Sequence, residues 1–147
     1  MKKTILFLVV ACAIFFVTPQ KALAQAAATN VVNIQQLKTK WPENGSLSKR
    51  DSLVSLYNEN VIWKNTHILS HREYSHWFTG DNHDYLVIEE YKDMAGIEAS
   101  FAMNTELENK AWPDEMKRKE FFKALGEYFE DWHGDALYRT NPKHSKN

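Results

Sequence analysis

Residues 66–92 decide the fold: Thr66-His-Ile-Leu-Ser-His-Arg-Glu-Tyr-Ser-His-Trp-Phe-Thr-Gly-Asp-Asn-His-Asp-Tyr-Leu-Val-Ile-Glu-Glu-Tyr-Lys92. Two runs rich in aromatic and β-branched residues flank the polar segment Thr79-Gly80-Asp81-Asn82-His83-Asp84, which is the pattern of a β-hairpin. The stretch also holds four of the six histidines, His67, His71, His76 and His83.

Side chains alternate between the two faces of a strand. On the first strand Arg72, Tyr74, His76 and Phe78 share one face, and Leu69, His71, Glu73, Ser75 and Trp77 share the other. On the second, Tyr85, Val87, Glu89 and Tyr91 share a face. A tight turn sets His76 opposite Val87, Tyr74 opposite Glu89 and Arg72 opposite Tyr91. That pairing gathers Arg72, Tyr74, His76, Glu89 and Tyr91 into a candidate site. His76 and Glu89 are its catalytic candidates, one to move a proton and one to orient it or take it. Arg72, Tyr74 and Tyr91 are its ligand-binding candidates, with Arg72 suited to an anion. The plainer reading is a solvent-facing sheet with cross-strand pairs of a few tenths to about 1 kcal/mol each. A slip of one residue in register would regroup every pair.

Upstream of the hairpin, Val31 to Lys38 reads as a strand, with Val32 and Ile34 on one face and Val31 and Leu37 on the other; a helix also fits this short run. Trp41-Pro42-Glu43-Asn44-Gly45 breaks the chain. Ser48 to Trp63 reads as a helix with Ser48 as N-cap and an apolar face of Leu53, Leu56, Tyr57 and Val61. Downstream, Asp93 caps a second helix from Met94 to about Lys110, bearing Ile97, Phe101 and Leu107. A third begins at Trp112-Pro113-Asp114-Glu115. Phe121, Phe122, Leu125, Tyr128, Phe129 and Trp132 form its core stripe, and His133-Gly134 ends it. Ala136 to Arg139 is a short closing edge strand.

The order strand, helix, strand, strand, helix-helix, strand resembles the ferredoxin-like βαββαβ plan, an α+β class. More narrowly it resembles the dimeric α/β-barrel superfamily, which includes small monooxygenases of antibiotic biosynthesis and haem-degrading enzymes. The resemblance lies in element order over residues 31–140, with no catalytic motif matched, and the paired helices depart from the simplest plan. It implies helices on one face of the sheet, a homodimer, and a pocket between sheet and helices. One fold hosts many chemistries, so no site residue follows from it.

Residues 1–24 have the form of a secretory signal: Lys2 and Lys3, an uncharged apolar run from Thr4 to Val17, a break at Pro19, and Ala22-Leu23-Ala24 as cleavage site. The run is shorter than the ~20 residues needed to span a bilayer, so no membrane span is expected after cleavage. The rival is lipidation at Cys12, within Val9-Val10-Ala11-Cys12, but the apolar residues directly after it speak against a lipoprotein. The expectation is export to a periplasm or the medium, a flexible leader over 25–30, one domain over 31–140, and a polar tail over 141–147. Cleavage removes three of the 18 basic residues and none of the 19 acidic ones, leaving a net charge of −4 and no cysteine. A disulfide-free exported domain depends on its core alone.

This mild acidity, without a basic patch, argues against a nucleic-acid partner, and none is expected. There is no Gly-rich phosphate loop and no nucleophile elbow. His67, His71, His76 and His83, with Asp81 and Asp84, lack any recognised zinc spacing, and no metal is expected; Asp81, Asn82 and Asp84 suit the turn. No cofactor is predicted. A haem would take an axial ligand from His76, His133 or Met103. Two functions remain open: a small-molecule binding or interaction module, and an enzyme using the acid–base pocket of the hairpin, monooxygenase-like or haem-related.

Overall fold

The structure, a computed structural model, describes residues 29–78 and 84–144. The signal-type segment with Cys12, most of the leader, turn residues 79–83 and the last three residues of the tail lie outside the described residues. The elements are β1 (Val31–Thr39), α1 (Leu47–Asn60), β2 (Ile68–Ser75), β3 (Asp84–Tyr91), α2 (Met94–Ala111), α3 (Glu115–Gly126) and β4 (Phe129–Arg139). One-turn 3₁₀ helices, Ile62–Lys64 and Pro142–His144, follow α1 and β4. The expected order is therefore present, with two helices between β3 and β4.

The strands form one antiparallel sheet in the order β2-β3-β1-β4. This is the ferredoxin-like arrangement, in which β3 separates β1 from β2 and β1 separates β3 from β4. The helices pack on one face. The other face, carrying Val32, Ile34, Leu86, Ile88, Ala136 and Tyr138 by strand alternation, has no helix over it among the described residues. No described helix is long and apolar enough to cross a membrane.

Local chemistry explains the boundaries. The turn after β1 closes with Gly45 N–H donating to the Pro42 carbonyl at 2.8 Å. A Cβ at Gly45 would stand 2.5 Å from Pro42 Cγ, so only glycine fits there. Directly behind it, Ser46 caps α1, its hydroxyl accepting from Lys49 N–H at 3.2 Å. The cap is thus Ser46 rather than Ser48, and α1 stops at Asn60, before the expected Trp63. Leu56, placed on the apolar face by sequence, is exposed, while Val61 is fully buried. Asp93 caps α2 as expected, accepting from Gly96 N–H at 2.8 Å.

The larger correction concerns α3. It ends at Gly126; Glu127 and Tyr128 form a turn, and the other residues read as its last turns, Phe129 through His133-Gly134, belong to β4. β4 pairs with β1 from Val31↔Arg139 to Thr39↔Phe129. This ladder satisfies the backbone groups along the second edge of β1, which a longer helix would have left without partners. Trp132, expected in the core, is 55% exposed; Phe121 and Tyr128 are buried.

The apolar contacts concentrate in a cluster of Val31, Tyr91 and Ile97, with Ile68 against it. Beside it, buried Asn65 donates to the Ser100 carbonyl (3.0 Å), Ser100 Oγ (2.9 Å) and Asn104 Oδ1 (2.7 Å), and accepts from His67 N–H (2.9 Å). A buried amide needs such partners, and these tie the lead-in to β2 onto α2.

Candidate functional site

Between the sheet and the helices lies a cavity of about 820 Å³. Every strand lends the side chains of one face: Asn33, Gln35 and Leu37 from β1, His71 and Glu73 from β2, Tyr85, Val87 and Glu89 from β3, and Phe129, His133, Asp135 and Leu137 from β4. Val54, Tyr57 and Asn58 of α1 and Ile97, Phe101 and Asn104 of α2 close the opposite side, with Ile62, Met94, Phe122 and Leu125. Met94, Phe101 and Leu137 are more than half exposed, and so mark the side open to solvent.

The register of the hairpin differs from the tight-turn expectation by three residues. Tyr74 pairs with Leu86 instead of Glu89, Arg72 with Ile88, and His71 with Glu89. An odd shift exchanges the faces. Glu89 therefore lines the cavity and Tyr91 is buried on the same face of the sheet, whereas Arg72 and Tyr74 lie on the other face. His76, just beyond β2, lines a separate cleft with Gln36, Tyr74, Trp77, Phe78 and Leu86, and its buried Nδ1 has no hydrogen-bond partner among the described residues. The five candidates are not brought together, and His76 does not meet Glu89. The register was unreadable because the connection between the strands is longer than a tight turn, and its geometry sets the pairing. One signal did exist: an opposite-charge pair across the strands, His71 with Glu89, favours the observed register over one that sets Tyr74 against Glu89.

The observed register assembles a closed polar array. His71 Nδ1 lies 2.9 Å from Glu89 Oε1, and its Nε2 lies 3.0 Å from Glu73 Oε1. Both ring nitrogens face carboxylates, so both carry a proton and donate. Tyr85 donates to Glu73 Oε2 at 2.5 Å, Asn58 Nδ2 to Glu73 Oε1 at 2.8 Å, and the Tyr91 hydroxyl to Glu89 Oε2. Nearby, Tyr57 donates to Glu108 at 3.0 Å, joining α1 to α2.

Burial works against the imidazolium of His71, but the hydrogen bonds to Glu73 and Glu89 outweigh it and hold the ring's pKa up at about 9. Burial likewise works against the Glu73 carboxylate, and donors His71, Tyr85 and Asn58 outweigh it, holding its pKa down at about 2. Burial, then the neighbouring carboxylates, push Tyr57, Tyr85 and Tyr91 upward, so all three remain donors.

These shifts predict a pH profile for stability. The folded pKa of His71 lies above its unfolded value of 6.5, so its contribution is full below pH 6.5 and is lost as pH rises through about 9. The folded pKa of Glu73 lies below its unfolded value of 4.5, so its contribution is full above pH 4.5 and is lost as pH falls toward about 2. Each loss is about 3 kcal/mol, and the two share one hydrogen bond, so they are not additive. Thermal midpoints should therefore be highest near pH 5.5 and fall by pH 9. A flat profile from pH 6 to 9.5 would show that His71 is not charged in the native state.

Of the three haem-ligand candidates, only His133 lines the cavity. His76 is outside the cavity, and Met103 accepts from the Thr66 hydroxyl at 3.6 Å without lining it. The Nε2 of His133 lies 3.1 Å from Asp135. Among the described residues no group of three His, Cys, Asp or Glu side chains has the arrangement of a metal site.

No family model and no curated protein matches the chain. Among solved structures it is similar to SnoaB of Streptomyces nogalater, a cofactor-independent oxygenase, at 10% identity and TM-score 0.50, covering 81% of this chain and 100% of that one. It is also similar to a conserved protein of Methanosarcina mazei Go1 (18% identity, TM-score 0.48, 81% and 100% covered). A dimeric protein of unknown function and ferredoxin-like fold from Bacteroides fragilis matches at 12% identity and TM-score 0.45, with 76% and 96% covered. The sheet order shows the ferredoxin-like fold, and the match over the whole of SnoaB agrees with it. At these identities the likeness concerns the fold alone.

Proposed function

We propose that the protein is an exported small-molecule binding module that acts as a homodimer and takes its ligand in the cavity between sheet and helices. The observation that carries this reading is the cavity itself. At about 820 Å³ it falls in the range of roughly 300–1,000 Å³ for small-molecule sites, and it has their character, apolar walls with a few fixed polar groups.

The state of those polar groups favours binding over acid–base catalysis. A catalytic acid or base works best with a pKa near the working pH. His71 at about 9 and Glu73 at about 2 stand well to either side of neutrality and lock each other in place. Glu89, the one of the two acid–base candidates that lines the cavity, already accepts from His71 and Tyr91. The homodimer is supported by the sheet face without helices, since an apolar face needs a second layer. Export is supported by the pattern of residues 1–24.

Native mass spectrometry of the purified protein tests the reading. The expected result is a dimer that carries a small molecule or takes up an added apolar probe. A protein that stays empty in the presence of the probe would remove the binding reading, and a monomer at micromolar concentration would remove the dimer.

A further inference from the structure

We infer that the cavity selects an apolar ligand bearing a protonated amine, a lipophilic ammonium, whose N–H groups dock on the Glu73–His71–Glu89 array. This deepens the binding reading above and rests on it.

Three observations converge. The first is hydrogen-bond supply. Both N–H groups of His71 and the hydroxyl hydrogens of Tyr85 and Tyr91 are already donated to the two carboxylates. The array still offers a guest oxygen lone pairs, and only a donor can use them. The buried Oδ1 of Asn33, which pairs in register with Glu89, is a further acceptor with no donor among the described residues.

The second is charge. Glu73 and Glu89 against one imidazolium leave the array with a formal charge of −1. Among the described residues no Lys or Arg lines the cavity. The other lining cation-former, His133, is matched by Asp135 at 3.1 Å. Arg50, whose guanidinium lies 5.3 Å from the ring centroid of Tyr85, is matched by Asp51 at 3.0 Å. A carboxylate or phosphate guest would meet two carboxylates and no unspent cation, whereas an ammonium would complete the charge.

The third is the wall around the array. Tyr57, Tyr85, Phe122 and Phe129 line the cavity, with Tyr85 and Phe129 edge to face at 5.5 Å and Tyr57 and Phe122 at 5.9 Å. Aromatic faces attract a desolvated cation and shelter its apolar remainder.

The test is calorimetric titration of the purified protein with three probes of equal chain length: decylammonium, decanol and decanoate, each below its micellar concentration at pH 7. Decylammonium should bind at least about tenfold more tightly than decanol, with decanoate weakest. In Glu89→Gln, decylammonium should lose about tenfold and decanol, a neutral donor, distinctly less; equal losses for the two would overturn the ammonium inference. Circular dichroism checks that this variant is folded, and the wild-type ranking decides the matter if it is not. Decanol or decanoate binding as well as decylammonium would overturn the ammonium inference and leave a binding cavity. Failure of all three to bind would overturn the binding reading as well.

Discussion

Replacing His71 with alanine is expected to cost about 3 kcal/mol of stability, the lower end of the range for removing one partner of a buried charge pair. His71 stands between two carboxylates on neighbouring strands, at 3.0 Å from Glu73 and 2.9 Å from Glu89. Its side chain is 12% exposed, and those of Glu73 and Glu89 are 23% and 15% exposed. Without the imidazolium, two like charges share one wall of the cavity with only neutral donors left to them. Water entering the cavity relieves part of this cost, which is why the lower figure is expected. For a domain of this size the loss corresponds to a fall in Tm of about 10 °C. His71→Gln, which keeps a neutral donor, should lose less.

The pH dependence separates this account from a simple loss of packing. In the wild type, acidification below pH 4.5 removes the contribution of Glu73. In His71→Ala the two carboxylates repel, which raises the affinity of the folded state for a proton. Acidification from pH 7 should therefore stabilise the variant relative to the wild type. A loss below about 1 kcal/mol, or parallel pH profiles for the two proteins, would show that the array is not held together by the charge on His71.

The plan of the fold was legible because it rests on local chemistry. Strand alternation in Val31–Thr39 and in the hairpin, the Asp93 cap and the proline-led approach to α3 each act within a few residues. The array was not legible, because it depends on pairing across a connection whose geometry is not written in its residue types. His71 and Glu73 were correctly placed together on one face of β2, and Tyr85, Glu89 and Tyr91 together on one face of β3. That these two faces are the same was signalled only by the His71–Glu89 charge pair. Asn58 of α1 and Tyr57 joined the site only through tertiary packing, with no signal in their own segment beyond helical position. Glu89 and Tyr91 entered the candidate site from sequence through a register that the structure replaces.

The corner between α3 and β4 shows the same limit in the core, and it gives the second large expected effect. Tyr128→Ala should cost about 4 kcal/mol, within the range for removing a buried aromatic ring. Tyr128 is fully buried although it lies on neither a helix nor a strand. Its N–H donates to the Leu125 carbonyl at 3.1 Å, its carbonyl accepts from Lys40 N–H at 2.9 Å, and its hydroxyl accepts from Ser46 N–H at 3.4 Å. Its ring meets the edge of Trp41 at 6.5 Å. One side chain thus fastens the end of α3 to the turn after β1 and to the cap of α1. Tyr128→Phe keeps the ring and should cost about 1 kcal/mol, since the long bond to Ser46 is the only one lost. A continuous helical stripe through Trp132 would make Trp132→Ala as damaging as Tyr128→Ala. On β4, where Trp132 is 55% exposed, its loss should stay below about 1 kcal/mol. Chemical denaturation of the two alanine variants side by side decides between them: equal losses would return these residues to one buried helical face, and a gap of about 3 kcal/mol is the signature of the corner.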